Sequence, residues 1–253
     1  KETADLSRGG KESMAGRLKG IVSAVVILGG LYLGLGICAD LAVDLVPPRT
    51  EAQWFSWAEE LVEPTLPVPD DLQVIFNQLV RDSELDDFPY RLVFIASEDI
   101  NAFAMPGGLI AVTQGLYENV RTPQGRAMVM GHEIGHVQHR HGLQRIGRSI
   151  LLAGALSLCG GDVTSVLKRS QFLADLQFSR SQETDSDDYG LRLVHRVFGT
   201  TDGSLEFFEK LESLNLEGSE TIQGQLGTFL RTHPQTSDRL RDLRELSKEL
   251  EGA

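Results

Sequence analysis

Hydrophobic positions are spread along this chain in two ways, and the change falls near residue 40. Before it, residues 20–39 form an unbroken run without charge, GIVSAVVILGGLYLGLGICA. As a helix that run spans roughly 30 Å, about one hydrocarbon core. Lys11, Arg17 and Lys19 precede it, and Asp40 and Asp44 follow. The pattern predicts a flexible basic flank over 1–19 and a transmembrane anchor over 20–39. The charge asymmetry puts the N-terminal side in the cytoplasm and the rest outside, which is the periplasm if the source is bacterial. A cleaved signal peptide ending near Ile37-Cys38-Ala39 is the alternative. Residues 40–69 read as a linker. Pro47-Pro48 breaks any helix, Trp54, Phe55, Trp57, Leu61 and Val62 suit a short amphipathic helix, and Pro64, Pro67 and Pro69 keep the chain extended.

From residue 70 the apolar positions become periodic. Leu72, Ile75, Phe76, Leu79 and Val80 recur at helical spacing behind Asp70-Asp71. Residues 91–96 read as a strand. Residues 101–113 read as strand, turn and strand, with Pro106 and Gly107-Gly108 at the turn. Helices follow from Leu116 to about Thr122-Pro123, over 124–143, over 173–198, over 204–215 and over 235–251. Ile150–Gly161 is apolar but too short to span a bilayer and reads as a buried helix, the alternative being a hydrophobic flap that dips into the membrane face. The expected fold is α+β, mostly helical with a small sheet, in one domain over 70–253 behind the anchor.

Composition narrows the partners. The net charge of −12 over 253 residues argues against nucleic acid. Cys38 lies in the apolar run, so a disulfide with Cys159 is not expected.

The chemistry concentrates in His132-Glu133-Ile134-Gly135-His136. Residues four apart share a helix face, so both imidazoles can meet one ion, and two imidazoles suit Zn²⁺. Glu133 flanks the same site, where a carboxylate can take a proton from water. Downstream, Glu183 and Asp187 also lie four apart. With the histidine pair upstream, Glu183 is the candidate third ligand, and Asp187 is the acceptor that fixes a histidine tautomer. His139 and His141 read as structural. The strand at Asn101, Ala102, Phe103 and Ala104, just ahead of the metal helix, offers an edge on which an extended peptide can pair main chain to main chain.

Together these residues resemble the M48 family of zinc metallopeptidases, which are gluzincins. The resemblance runs from Asn101–Gly108 through Gly115-Leu116 and His132–His136 to Ser179-Arg180 with Glu183 and Asp187. It ends at Thr232-His233-Pro234 with Arg239. One departure is Ser186, where the family usually has Ala. Another is that the full-length apolar span precedes the domain, whereas membrane-embedded relatives carry spans within it. The resemblance implies a zincin-like peptidase domain with one zinc on His132, His136 and Glu183, Glu133 as general base, and protein or peptide substrates. It suggests a role in membrane or envelope protein quality control. His233 and Arg239 are candidate donors to the developing oxyanion; alternatively His233 is a fourth ligand that holds the site off. The competing reading is a gated zinc-binding domain with a chaperone-like or scaffolding role.

Overall fold

Helix α1 (Met14–Asp44) is continuous and extends beyond both ends of the uncharged run. The structure is a computed structural model that describes residues 14–62, 65–85, 88–158, 178–217, 226–227, 229–233 and 237–252. Val25, Val26, Leu33 and Leu41 of α1 are exposed. The helix is long and apolar enough to cross a membrane.

The segment read as a linker is folded onto the domain. It forms α2 (Pro48–Trp54), a 3-10 helix (Ser56–Leu61) and strand β1 (Thr65–Leu66). Ala58 and Val62 are buried with Val93, Met105, Leu109 and Ala111 against one face of the sheet. That face is apolar and needs a cover, which this aromatic-rich stretch supplies while Trp54 stays exposed.

The sheet adds β2 (Arg91–Ile95), β3 (Ala102–Met105) and β4 (Leu109–Thr113), in the order β1-β2-β4-β3. β2 runs parallel to β4, and β3 pairs antiparallel with β4, Ala102 opposite Val112. Gly107 and Gly108 turn the chain between β3 and β4 with φ of 87° and 84°. A Cβ on Gly108 would meet the Phe88 ring at 2.5 Å, so the turn needs glycine for space as well as for φ.

The other sheet face carries the main core. Helix α3 (Asp70–Arg81) buries Leu72, Ile75, Phe76 and Leu79, as its periodicity predicts. They pack with Phe94, Ile110 and Val112 of the sheet and with Ala127, Met130 and Ile134. α4 (Gln114–Asn119) is capped by Thr113, whose side chain accepts from the Leu116 amide. α5 (Pro123–Gln138) is capped in the same way by Thr122, with Pro123 in its first turn. α5 is buried along most of its length.

α5 stops at Gln138, short of the 143 expected from the sequence. Arg140 has a positive φ of 56°, and α6 (His141–Leu158) starts directly after it. The guanidinium of Arg140 holds that turn in place. It donates to Glu51 at 3.0 and 2.6 Å, to the Val43 carbonyl at 3.0 Å and to the Val46 carbonyl. α6 therefore begins earlier than the helix read from Ile150, and Ile150 is 54% exposed rather than buried. Residues 159–161 and 173–177 of the expected helices lie outside the described residues.

Helices α7 (Arg180–Phe198), α8 (Glu206–Glu217) and α9 (Ser237–Glu251) complete the fold, with further helical residues at 226–227 and 229–232. Ser179 and Gln182 form a reciprocal cap on α7, and Gly199 ends it with φ of 70°.

Candidate metal centre and active site

The site is built where α5 and α7 cross. Small residues let the backbones touch: Gly131 meets Gly190, and Gly135 meets Ser186. A Cβ on Gly190 would stand 2.8 Å from the His132 amide nitrogen. Ser186 is fully buried in this crossing, so the position takes a serine in place of alanine but has no room for a larger side chain. The close approach sets Glu183 and Asp187 of α7 beside His132 and His136 of α5.

The donor atoms converge. His132 Nε2 lies 3.1 Å from His136 Nε2 and 3.7 Å from Glu183 Oε2. His136 Nε2 lies 3.6 Å from Glu183 Oε1. His233 Nδ1 lies 3.3 Å from His132 Nε2 and 3.1 Å from Glu183 Oε1. All of these residues are buried. Zinc bonds of about 2.0–2.2 Å in a tetrahedron put neighbouring ligand atoms roughly 3.3–3.6 Å apart. The separations lie near that edge, and one ligand atom from each of the four residues lies within 4.8 Å of the others, so the donor set can close on a metal ion.

Glu133 is fully buried, and neither carboxylate oxygen has a hydrogen-bond partner among the described residues. Its nearest charged-site neighbour is His233, whose Nε2 lies 3.5 Å from Oε1. A buried carboxylate without donors is costly. Here it stands beside the donor cluster, where a metal and its water would supply partners.

Each histidine of α5 has a partner behind it. His132 Nδ1 lies 2.8 Å from Asp187 Oδ1. Asp187 accepts from Arg239 Nε at 2.7 Å and Nη2 at 2.8 Å, while Arg239 Nη1 lies 2.7 Å from Glu183 Oε2. Burial opposes ionisation of Asp187 and Glu183. Arg239 and His132 together outweigh it at Asp187, and His233, His132 and Arg239 together outweigh it at Glu183, so both pKa values fall below the ordinary range. His136 Nδ1 lies 3.0 Å from Nδ1 of His141, and Phe178 stacks on the His136 ring at 3.8 Å. Burial and the neighbouring His139 push His141 down to about 3 and keep it neutral, so its Nδ1 can accept a hydrogen bond from His136.

His233 sits at the end of the helical residues 229–232, its amide bonded to the Phe229 carbonyl at 2.8 Å. The Phe229 ring stacks on it at 4.7 Å. Residues 218–225, between α8 and the segment that carries this histidine, lie outside the described residues. Ala102, Phe103 and Ala104 lie beside α5 on β3, with Asn101 just before it, and the outer edge of β3 pairs with no strand among the described residues. Ala104, Met105 and Pro106 line a crevice shared with His136 and Phe178. Sequence spacing brought out His132, His136, Glu183 and Asp187, and missed His141. A separation of five residues is not a helical repeat, and the pair meets only because the Arg140 turn folds the chain back.

The comparisons agree with this geometry. The sequence profile of peptidase family M48 matches residues 69–247, and the chain belongs to that family. It is 26% identical over 178 residues to a mitochondrial metalloendopeptidase, OMA1, of Schizosaccharomyces pombe, covering 68% of this chain and 50% of that protein. It is 31% identical over 167 residues to the metalloprotease LoiP of Escherichia coli, covering 62% of each. It is 26% identical over 204 residues to a putative beta-barrel assembly-enhancing protease of Vibrio cholerae, covering 70% of this chain and 41% of that one. The chain thus spans between 41% and 62% of the length of these relatives.

Proposed function

We propose that this chain is a zinc-dependent metalloendopeptidase that binds one zinc through His132, His136 and Glu183. The observation that carries the reading is the set of separations of 3.1–3.7 Å among buried donors, next to a Glu133 carboxylate without partners. A zinc ion held there supplies Lewis acidity toward a scissile carbonyl and toward a water. Glu133 takes a proton on its carboxylate and returns it to the leaving amine. Asp187 accepts the Nδ1 proton of His132 and keeps Nε2 free for the metal. Arg239 was a candidate oxyanion donor from the sequence. Its guanidinium is engaged by Asp187 and Glu183, which supports a positioning role instead.

His233 stands between Glu183 and Glu133, where a reacting water would sit. This supports the gate over the oxyanion donor: His233 completes the ligand set, and the site opens when its segment moves away. The β3 edge beside His136 is suited to bind an extended peptide as an added strand. The family and the names of the relatives support protein substrates in membrane or envelope quality control. The length and composition of α1 support membrane anchorage, and the basic residues before its uncharged run with the acidic ones after it support a catalytic domain outside the cytoplasm.

The test is cleavage of unfolded casein by the full chain in detergent, as wild type and as His233→Ala, with and without a chelator. Chelator-sensitive cleavage that speeds up in His233→Ala is expected. A fall in kcat of about 10²–10³ would instead make His233 an oxyanion donor. No cleavage by either protein with zinc bound would leave the scaffolding reading.

A further inference from the structure

Two charge boundaries coincide in this structure. In α1 the uncharged run extends back from Asp40 to Lys19, and in α6 no charge follows Arg148 until Asp162. Arg148 Nε donates to Asp40 Oδ1 at 2.9 Å, so both helices pass from charged to uncharged at one level. The helices run antiparallel. Arg140, just before α6, reaches the Val43 and Val46 carbonyls, the Cβ position of Gly147 is 3.7 Å from Ala39 and Val43, and that of Gly36 is 3.8 Å from Arg148 Nε. A small residue at such a crossing lets two helices approach closely, as in membrane-embedded pairs. Beyond Arg148 the backbone stays helical to Leu158, and Ile150 is 54% exposed.

We propose that the second half of α6 lies in the lipid bilayer alongside α1, with the Arg148–Asp40 pair at the boundary. The proposal rests on the reading of α1 as a membrane span and goes beyond it. Continuity with α1 names the occupant. An uncharged helix that leaves the boundary beside a span, in the same direction, meets acyl chains. From Ser149 to Leu158 it descends about 15 Å, roughly half a hydrocarbon core, so it dips in without crossing. The N-terminal end of α6 is His141, which touches His136 of the metal centre. From His141 to Arg148 is about 10 Å along the helix. The metal centre, one histidine contact beyond His141, is therefore held close to the membrane boundary, and the peptide bonds it reaches are those near the lipid surface.

The test places an environment-sensitive fluorophore on single cysteines in the full chain, with Cys38 and Cys159 replaced by serine. The protein is reconstituted in phosphatidylcholine–phosphatidylglycerol vesicles. Ala155→Cys and Ser157→Cys report on α6, and both are small changes. Leu33→Cys reports on α1, as far from Asp40 along its helix as Ala155 is from Arg148. Quenching is measured with a nitroxide near the end of the lipid acyl chain and with aqueous iodide. The expected result is loss of fluorescence to the lipid nitroxide at 155 and 157 to the same extent as at 33, with no loss to iodide. If position 33 is quenched by lipid and both α6 positions by iodide, the proposal fails and the anchor stands. Protection of the α6 positions from both quenchers means a protein partner covers the helix, and the proposal fails. Iodide quenching at all three positions overturns the anchor as well.

Discussion

In the proposed site each histidine of α5 must place the N–H of its outward ring nitrogen. Asp187 stands 2.8 Å from His132 Nδ1 to receive one, and His141 Nδ1 stands 3.0 Å from His136 Nδ1 to receive the other. Such partners fix the tautomer and make the ligand more basic. Glu183→Ala should abolish metal binding and hydrolysis together, because it removes a ligand. Asp187→Ala should weaken metal binding by about 10–100-fold, because it removes only the acceptor. Metal analysis and titration of both variants check this, and stoichiometric zinc in Glu183→Ala would contradict the ligand assignment. At this scale the sequence was legible wherever spacing is helical: His132 with His136, and Glu183 with Asp187. It was silent on His141, which reaches its partner through a positive-φ arginine that no local pattern announces. It was silent too on the pairing of Arg239 with Asp187, which joins separate helices.

At the level of elements, the crossing of α5 and α7 is the determinant. Gly190→Ala puts a methyl 2.8 Å from the His132 amide nitrogen, against backbone that cannot move away cheaply. The expected outcome is a loss of stability of about 1–3 kcal/mol from overpacking, read as a lower melting temperature, and weaker metal binding through a displaced His132. A variant with wild-type stability and metal affinity would mean the crossing tolerates separation. The start of α5 depends on another element, since Glu206 of α8 accepts from the Thr122 hydroxyl at 2.6 Å and from the Thr122 and Arg121 amides at 2.8 and 3.0 Å. Burial would raise the pKa of Glu206, but the hydrogen bonds from Thr122 and Arg121, with Lys210, bring it below the ordinary 4.5. A carboxylate with a depressed folded pKa stabilises fully above its unfolded value, and that contribution is lost as pH falls through the folded one. Glu206→Gln should therefore melt at a lower temperature than wild type at neutral pH, with the gap closing below pH 4.5. Thermal melts of both proteins across that range decide it; a gap independent of pH would show that charge is not the cause. Long periodic helices such as α3 were legible at this scale. The two-residue β1 was not, because its pairing is set by the sheet beside it.

For the whole molecule, the sequence separated an anchor from a catalytic domain, and the structure joins them. The stretch 40–69 reads as linker because prolines and aromatic residues break its periodicity. It folds because an apolar sheet face is there to cover, and because Glu51 accepts from Arg140 at the end of α5. The metal centre is thereby tied to α1 through the same arginine. The central claim is that buried His132, His136 and Glu183 hold a zinc on which Glu133 acts as base. It is tested most directly by Glu133→Gln in the His233→Ala background, with zinc content and casein hydrolysis measured on one full-length preparation. Glutamine keeps the shape and removes the basic oxygen. The expected result is one equivalent of zinc, as in the parent, with hydrolysis lost; hydrolysis at the parent's rate with zinc bound would contradict it.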